Sequence, residues 1–123
     1  MWKFIIHQND EAKLDYVLWS EDGRIILQSK SYSSDNACRK GIASVTKNSR
    51  TNNLDDYSDG EPVKLSKHPK YEVYKQKNGK VYFQLKASNG QIVGVSAAYS
   101  SREECLAVVA ELRAQGSSAI VEG

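Results

Sequence analysis

The chain has 123 residues, 40% of them apolar and 26% charged, with a formal net charge of +2. That is one domain's length with a globular balance, which excludes wholesale disorder and fibrous repeats and allows a core without metal or disulfide staples. The charge is too small to name nucleic acid or a membrane as partner. The apolar run in "MWKFIIHQND" is too short for a signal peptide and no window approaches the roughly 18 apolar residues of a span, so a cytoplasmic protein without a membrane partner is expected.

Near the start, Phe4 and Ile6 alternate with Lys3, Ile5 and His7, the period-two pattern of a strand. A second strand sets Leu14, Tyr16 and Leu18 inward against Asp15, Val17 and Trp19. Asp22-Gly23 supplies a tight hairpin turn before a third strand over residues 24–29. The period then becomes helical: Ser34 is an N-cap, and Cys38, Ile42 and Val45 form one apolar stripe. "TNNLDDY" is a candidate fourth strand, and residues 58–69, "SDGEPVKLSKHP", read as a connection.

The same signals then recur. Tyr71 and Val73 alternate with Lys70, Glu72 and Tyr74, and after Asn78-Gly79 a strand follows with Val81, Phe83 and Leu85 inward and Tyr82, Gln84 and Lys86 outward. Asn89-Gly90 leads to a third strand over residues 91–96. Ser101 with Glu104 makes a capping box, Cys105, Val109 and Leu112 form a stripe widened by Leu106 and Val108, and "SAIVEG" is a second candidate edge strand. A shift of 67 positions superposes the two copies without a gap, Gly23 on Gly90, Tyr32-Ser33-Ser34 on Tyr99-Ser100-Ser101, and Cys38 on Cys105. The chain is a tandem duplication, with a first repeat over residues 1–57, a linker over 58–69 and a second repeat over 70–123.

"FQLKASNGQIVGVSAAYSS" at residues 83–101 and "GIASVTKNS" at 41–49 resemble the two signatures of the YegP-like family of small proteins of unknown function. The resemblance covers nearly the whole chain. It implies a β-β-β-α-β unit, present twice, whose strands join into one antiparallel sheet with the last strand of each unit exchanged. It lends no catalytic residue. The expected fold is therefore α+β, a pseudo-two-fold tandem repeat with one antiparallel sheet and two helices packed on it.

No reaction centre assembles from the residues. Cys38, Cys105, His7 and His68 lack metal-ligand spacing, and both cysteines fall on apolar helix stripes as small core residues. Neither histidine has a nucleophile motif beside it, paired acids such as Glu103-Glu104 suit the helix dipole, and the turn glycines stand singly. No cofactor, metal or catalytic residue is expected.

One sheet face remains. If both helices cover the other, Ile5, Val17, Trp19 and Ile26 with Tyr74, Tyr82, Gln84, Lys86, Val93 and Val95 line a face too apolar for a wet sheet. Val17, Trp19, Tyr74, Tyr82, Gln84 and Lys86 are the candidate interaction surface of a non-catalytic module binding a protein partner or its own twin. The alternative is nucleic-acid binding through a basic patch of Lys75, Lys77 and Lys80, in a lysine-rich stretch running from Lys64 through Lys67 and Lys70 to Lys86 and preceded by Asp55, Asp56, Asp59 and Glu61. A small-molecule-binding protein or enzyme ranks third.

Overall fold

The computed structural model describes residues 1–62 and 64–122; residue 63 of the linker and residue 123 of the second repeat lie outside the described residues. The first repeat contributes β1 (Lys3–Gln8), β2 (Leu14–Trp19), β3 (Ile25–Gln28), α1 (Asp35–Asn48) and β4 (Leu54–Asp56). The second contributes β5 (Lys70–Lys75), β6 (Val81–Lys86), β7 (Ile92–Val95), α2 (Arg102–Gln115) and β8 (Ile120–Glu122).

All strands join one eight-stranded sheet in the order β4-β5-β6-β7-β3-β2-β1-β8. Each repeat gives its last strand to the other: β4 lies beside β5, and β8 beside β1. Both edge strands run parallel to their neighbours, whereas the six strands between are antiparallel. The parallel edges follow from the helix that intervenes before each exchanged strand, since a parallel neighbour requires a crossover connection.

Registers obey the duplication. Lys3 pairs with Trp19 as Lys70 pairs with Lys86, and the bridge between Leu14 and Tyr32 repeats between Val81 and Tyr99. Where the halves meet, Gln28 pairs with Val95, its own counterpart, so the pseudo-two-fold axis passes between them. Two further counterpart pairs touch on this axis. A Cβ on Gly94 would lie 2.5 Å from Leu27 Cδ2, and one on Gly116 would lie 2.7 Å from Ser49 Oγ.

The core lies between the sheet and the two helices. Phe4, Tyr16, Leu18, Tyr71, Phe83 and Leu85 are fully buried on the sheet, facing Cys38, Ile42 and Val45 of α1 and Cys105, Val109 and Leu112 of α2. Each helix starts on its expected cap: Ser34 Oγ accepts from Ala37 N–H, and Ser101 Oγ from Glu104 N–H at 3.1 Å. The Glu104 carboxylate accepts from Ser100 and not from the cap residue's backbone, so the capping box is half made.

Two expectations are corrected. Ile26 and Val93, assigned to the open face, are buried with the core, because register shifts at Leu18/Trp19 and Leu85/Lys86 interrupt the strict alternation. Lys70, part of the lysine-rich stretch behind the nucleic-acid alternative, is 5% exposed and not available to a phosphate backbone.

Candidate interaction surface on the second sheet face

Alternation sends every other strand residue away from the helices, and the registers align these into one row across the sheet: Glu122, Ile5, Val17, Gln28, Val95, Gln84, Glu72 and Asp55. The row is a palindrome in position but not in chemistry. Between the matching ends Glu122 and Asp55, the first half sets apolar Ile5 and Val17 where the second sets Glu72 and Gln84.

In the second repeat Glu72, 3% exposed, accepts from Gln84 Nε2 at 2.7 Å and Tyr74 OH at 3.0 Å, and lies 3.1 Å from Lys86 Nζ and 3.4 Å from Lys70 Nζ. Lys70 in turn bonds Asp55, 2% exposed, at 2.7 Å. The linker turns back beside this pair, so that Ser66 N–H donates to the Asp55 carboxylate. Burial opposes both carboxylates, but their partners outweigh it: Gln84, Lys86 and Tyr74 hold Glu72, and Lys70 with Ser66 holds Asp55, below the usual carboxylate range. The Asp55 hydrogen bond pushes Lys70 up, against its burial. Gln84 and Lys86 are therefore committed to Glu72 and do not present free recognition groups.

Beside the network Tyr57, Tyr74 and Tyr82 form a stack, with ring centroids 5.0 Å and 5.7 Å apart. Tyr57 follows β4 directly, and its N–H donates to Val73 O; only the strand exchange brings it here. Lys75, Lys77 and Lys80 cluster at the β5–β6 hairpin, all exposed. Of the acids upstream, Asp55 is spent on Lys70 and Asp56 bonds Arg102 and Ser58.

In the first repeat Ile5 replaces Glu72, Val17 replaces Gln84 and Trp19 replaces Lys86. Only the edge ion pair survives, as Lys3 with Glu122 at 3.7 Å. Trp19 Nε1 is buried without a hydrogen-bond partner. Ile25 lies opposite Trp19, while Val95 at 36% and Ile92 at 42% exposure carry apolar surface past the axis. Val17 and Trp19 thus sit together on a partly exposed apolar tract, and Tyr74 and Tyr82 stand apart from it on the polar half. His7 and Asp15, 3.6 Å apart, border the tract where the second repeat has Tyr74 and Tyr82.

Both thiols are buried and free, and burial pushes Cys105 up to about 12. No group of acids, histidines and cysteines among the described residues could hold a metal ion. No helix of the described residues is long and apolar enough to cross a membrane.

Residues 13–56 and 76–122 match the family model described as a domain of unknown function, DUF1508. The chain is similar to the UPF0339 protein YegP of Escherichia coli K12, with 32% identity over 119 residues, 97% of this chain and 94% of that protein. A UPF0339 protein of Treponema denticola is 40% identical over 52 residues, 42% of this chain and 90% of its own, so it spans a single repeat. The solution structure of yegP from E. coli, described as a protein of unknown function, superposes with a TM-score of 0.76 at 31% identity, over 98% of this chain and 90% of that one.

Proposed function

Because the chain belongs to the YegP-like DUF1508 family, which is described as being of unknown function, we propose its role from the sheet: a non-catalytic, cytoplasmic interaction module that docks a protein surface on the apolar first-repeat half of the second face. The observation that carries this reading is the contrast between two halves of one row. Where the second repeat shields Glu72 and Lys70 with partners and linker, the first repeat leaves Ile5, Val17 and Trp19 as partly exposed apolar neighbours. Contiguous apolar surface of this kind marks interaction sites. The occupant we assign is a second copy of the chain. The tract's border carries both signs in Lys3 and Glu122, so a two-fold related copy can set the cation of one chain against the acid of the other.

Sedimentation or light scattering of the wild type and of Trp19→Ala/Val17→Thr tests it, with circular dichroism as the folding check. A concentration-dependent dimer that the folded double variant loses supports the reading. A wild type that stays monomeric, or a dimer that the variant keeps, removes this surface.

The nucleic-acid reading draws on the exposed Lys75, Lys77 and Lys80. The tyrosines beside them stack on one another, which occupies ring faces that bases would need. Retention on single-stranded nucleic acid that falls steeply with salt would favour it.

A further inference from the structure

The duplication also produces two equivalent clefts on the helix side, each between the helix of one repeat and a hairpin of the other. One runs between α2 and the β2–β3 hairpin, with a volume of about 560 Å³. It carries Glu21, Asp22 and Glu111, and its charges are internally matched: Arg24 bridges Asp22 and Glu111, and Glu21 pairs with the N-terminal amine. The counterpart cleft runs between α1 and the β6–β7 hairpin as two adjoining cavities of about 300 Å³ and 270 Å³ that share Lys40, Ser44, Ala87 and Asn89.

Its chemistry is inverted. Where the first cleft has Glu21, Asp22, Glu111 and Ala114, the second has Ser88, Asn89, Ser44 and Lys47. Lys40 and Lys30 add two further cations, and no acidic side chain lines either cavity. Among the described residues none of these three lysines makes an ion pair, whereas Lys70 and Lys86 do. Lys47 stands in the last turn of α1, where a cation is favoured by the helix dipole alone. Lys30 sits over the Tyr32 ring, 5.6 Å from its centroid, and Lys40 has neither a helix end nor an ion-pair partner to hold it. Beside them Tyr32 packs over Gly41, where a Cβ would lie 2.9 Å from its ring, and Ala87 and Val93 give the cleft an apolar wall.

We propose that this cleft binds a small organic phosphate, its anionic group held by Lys30 and Lys40 and its apolar body against Tyr32, Ala87 and Val93, which line one cavity with them. Lysines without acids supply the positive potential, Ser44 and Asn89 supply neutral hydrogen-bonding groups, and the acid-lined counterpart cleft rejects the same ligand. The site lies on the opposite side of the sheet from the proposed docking tract, so either assignment stands without the other.

Phenyl phosphate titrated into the full chain at constant ionic strength, followed by backbone amide shifts, is the test. Expected are saturable shifts in residues 40–48 and 87–93 and an affinity that falls at least about tenfold in Lys30→Gln/Lys40→Gln. Lys75→Gln/Lys77→Gln, which removes as much charge elsewhere, should bind as the wild type does. Inorganic phosphate and benzoate should each bind more weakly, since each lacks one half of the recognised chemistry. Shifts that never saturate, an equal loss in both lysine variants, or equal binding of all three anions would overturn the assignment. All four lysines are exposed, so unchanged thermal midpoints in the variants separate lost binding from lost folding.

Discussion

Leu27 and Gly94 hold the same position in the two repeats, and each is the other's neighbour across the pseudo-two-fold axis. A residue on such an axis meets its own twin, and here there is room for one side chain, not two. The same inequality separates Ser49 from Gly116. Gly94→Ala forces Leu27 to shift and should cost about 1–3 kcal/mol, while Leu27→Ala should cost about 2–5 kcal/mol by leaving a cavity. Together the two changes relieve one another. Urea denaturation should show the double variant less destabilised than the sum of the singles by at least about 1 kcal/mol, and simple additivity would disprove the contact.

The β1–β2 turn holds a second inequality. Ala12 has φ 62°, at the position where the second repeat has Gly79 with φ 87°. A left-handed non-glycine residue carries about 1–2 kcal/mol of steric cost, partly offset in a glycine variant by the greater freedom of its unfolded chain. Ala12→Gly should therefore raise stability by about 0.5–1 kcal/mol, read as a higher urea midpoint at unchanged slope.

The charged network and the apolar tract are two fillings of one position. Glu72→Ile alone leaves Lys86 without its carboxylate and removes one of the two flanking Lys70, which should cost about 3–5 kcal/mol. Glu72→Ile/Gln84→Val/Lys86→Trp transplants the first repeat's solution and leaves Lys70 with Asp55, as Lys3 is left with Glu122. The triple variant should recover most of that loss in thermal and chemical denaturation. A triple variant no more stable than the single would show that the halves are not interchangeable.

The network also sets the response to pH. The folded-state pKa values of Asp55, Asp56 and Glu72 are lowered, so their stabilisation is present above their unfolded values near about 4 and is lost as pH falls through the folded ones. Lys70 is raised, so its stabilisation is present below its unfolded value of about 10.4 and is lost only as pH rises through the folded one. Urea midpoints should be level from about pH 5 to 8, fall in acid, and decline again above about pH 8.5, where thiols of the unfolded chain ionise and the buried Cys38 and Cys105 do not. Glu72→Gln should lower the plateau and flatten the acid limb; an acid limb as steep as the wild type's would assign it to other groups.

Local features were legible in the chain. Tyr16, Leu18, Phe83 and Leu85 recur at every second position and are buried as the period requires, and Ser34 and Ser101 cap the helices. Features created by contacts distant in the chain were not. Asp55 in an acidic run and Lys70 in a basic one look like surface charges until β4 crosses to β5 and buries them together. Tyr57 joins the tyrosine stack by the same exchange, and the register shifts that bury Ile26 and Val93 leave no mark in composition. Val17 and Trp19 do share a face, but their separation from Gln84 and Lys86 depends on which residues satisfy Glu72.

The crossed edges also govern the order of assembly during synthesis. β1 is made before any other strand, yet its outer flank is satisfied by β8, which follows every other element; β4 likewise waits for β5. A growing chain therefore holds an unpaired backbone edge until its final strand emerges, and such an edge invites pairing with the wrong neighbour. Translation that stalls before Ile120 would leave a nascent product open to capture by another molecule's β8, turning an intramolecular clasp into an intermolecular one.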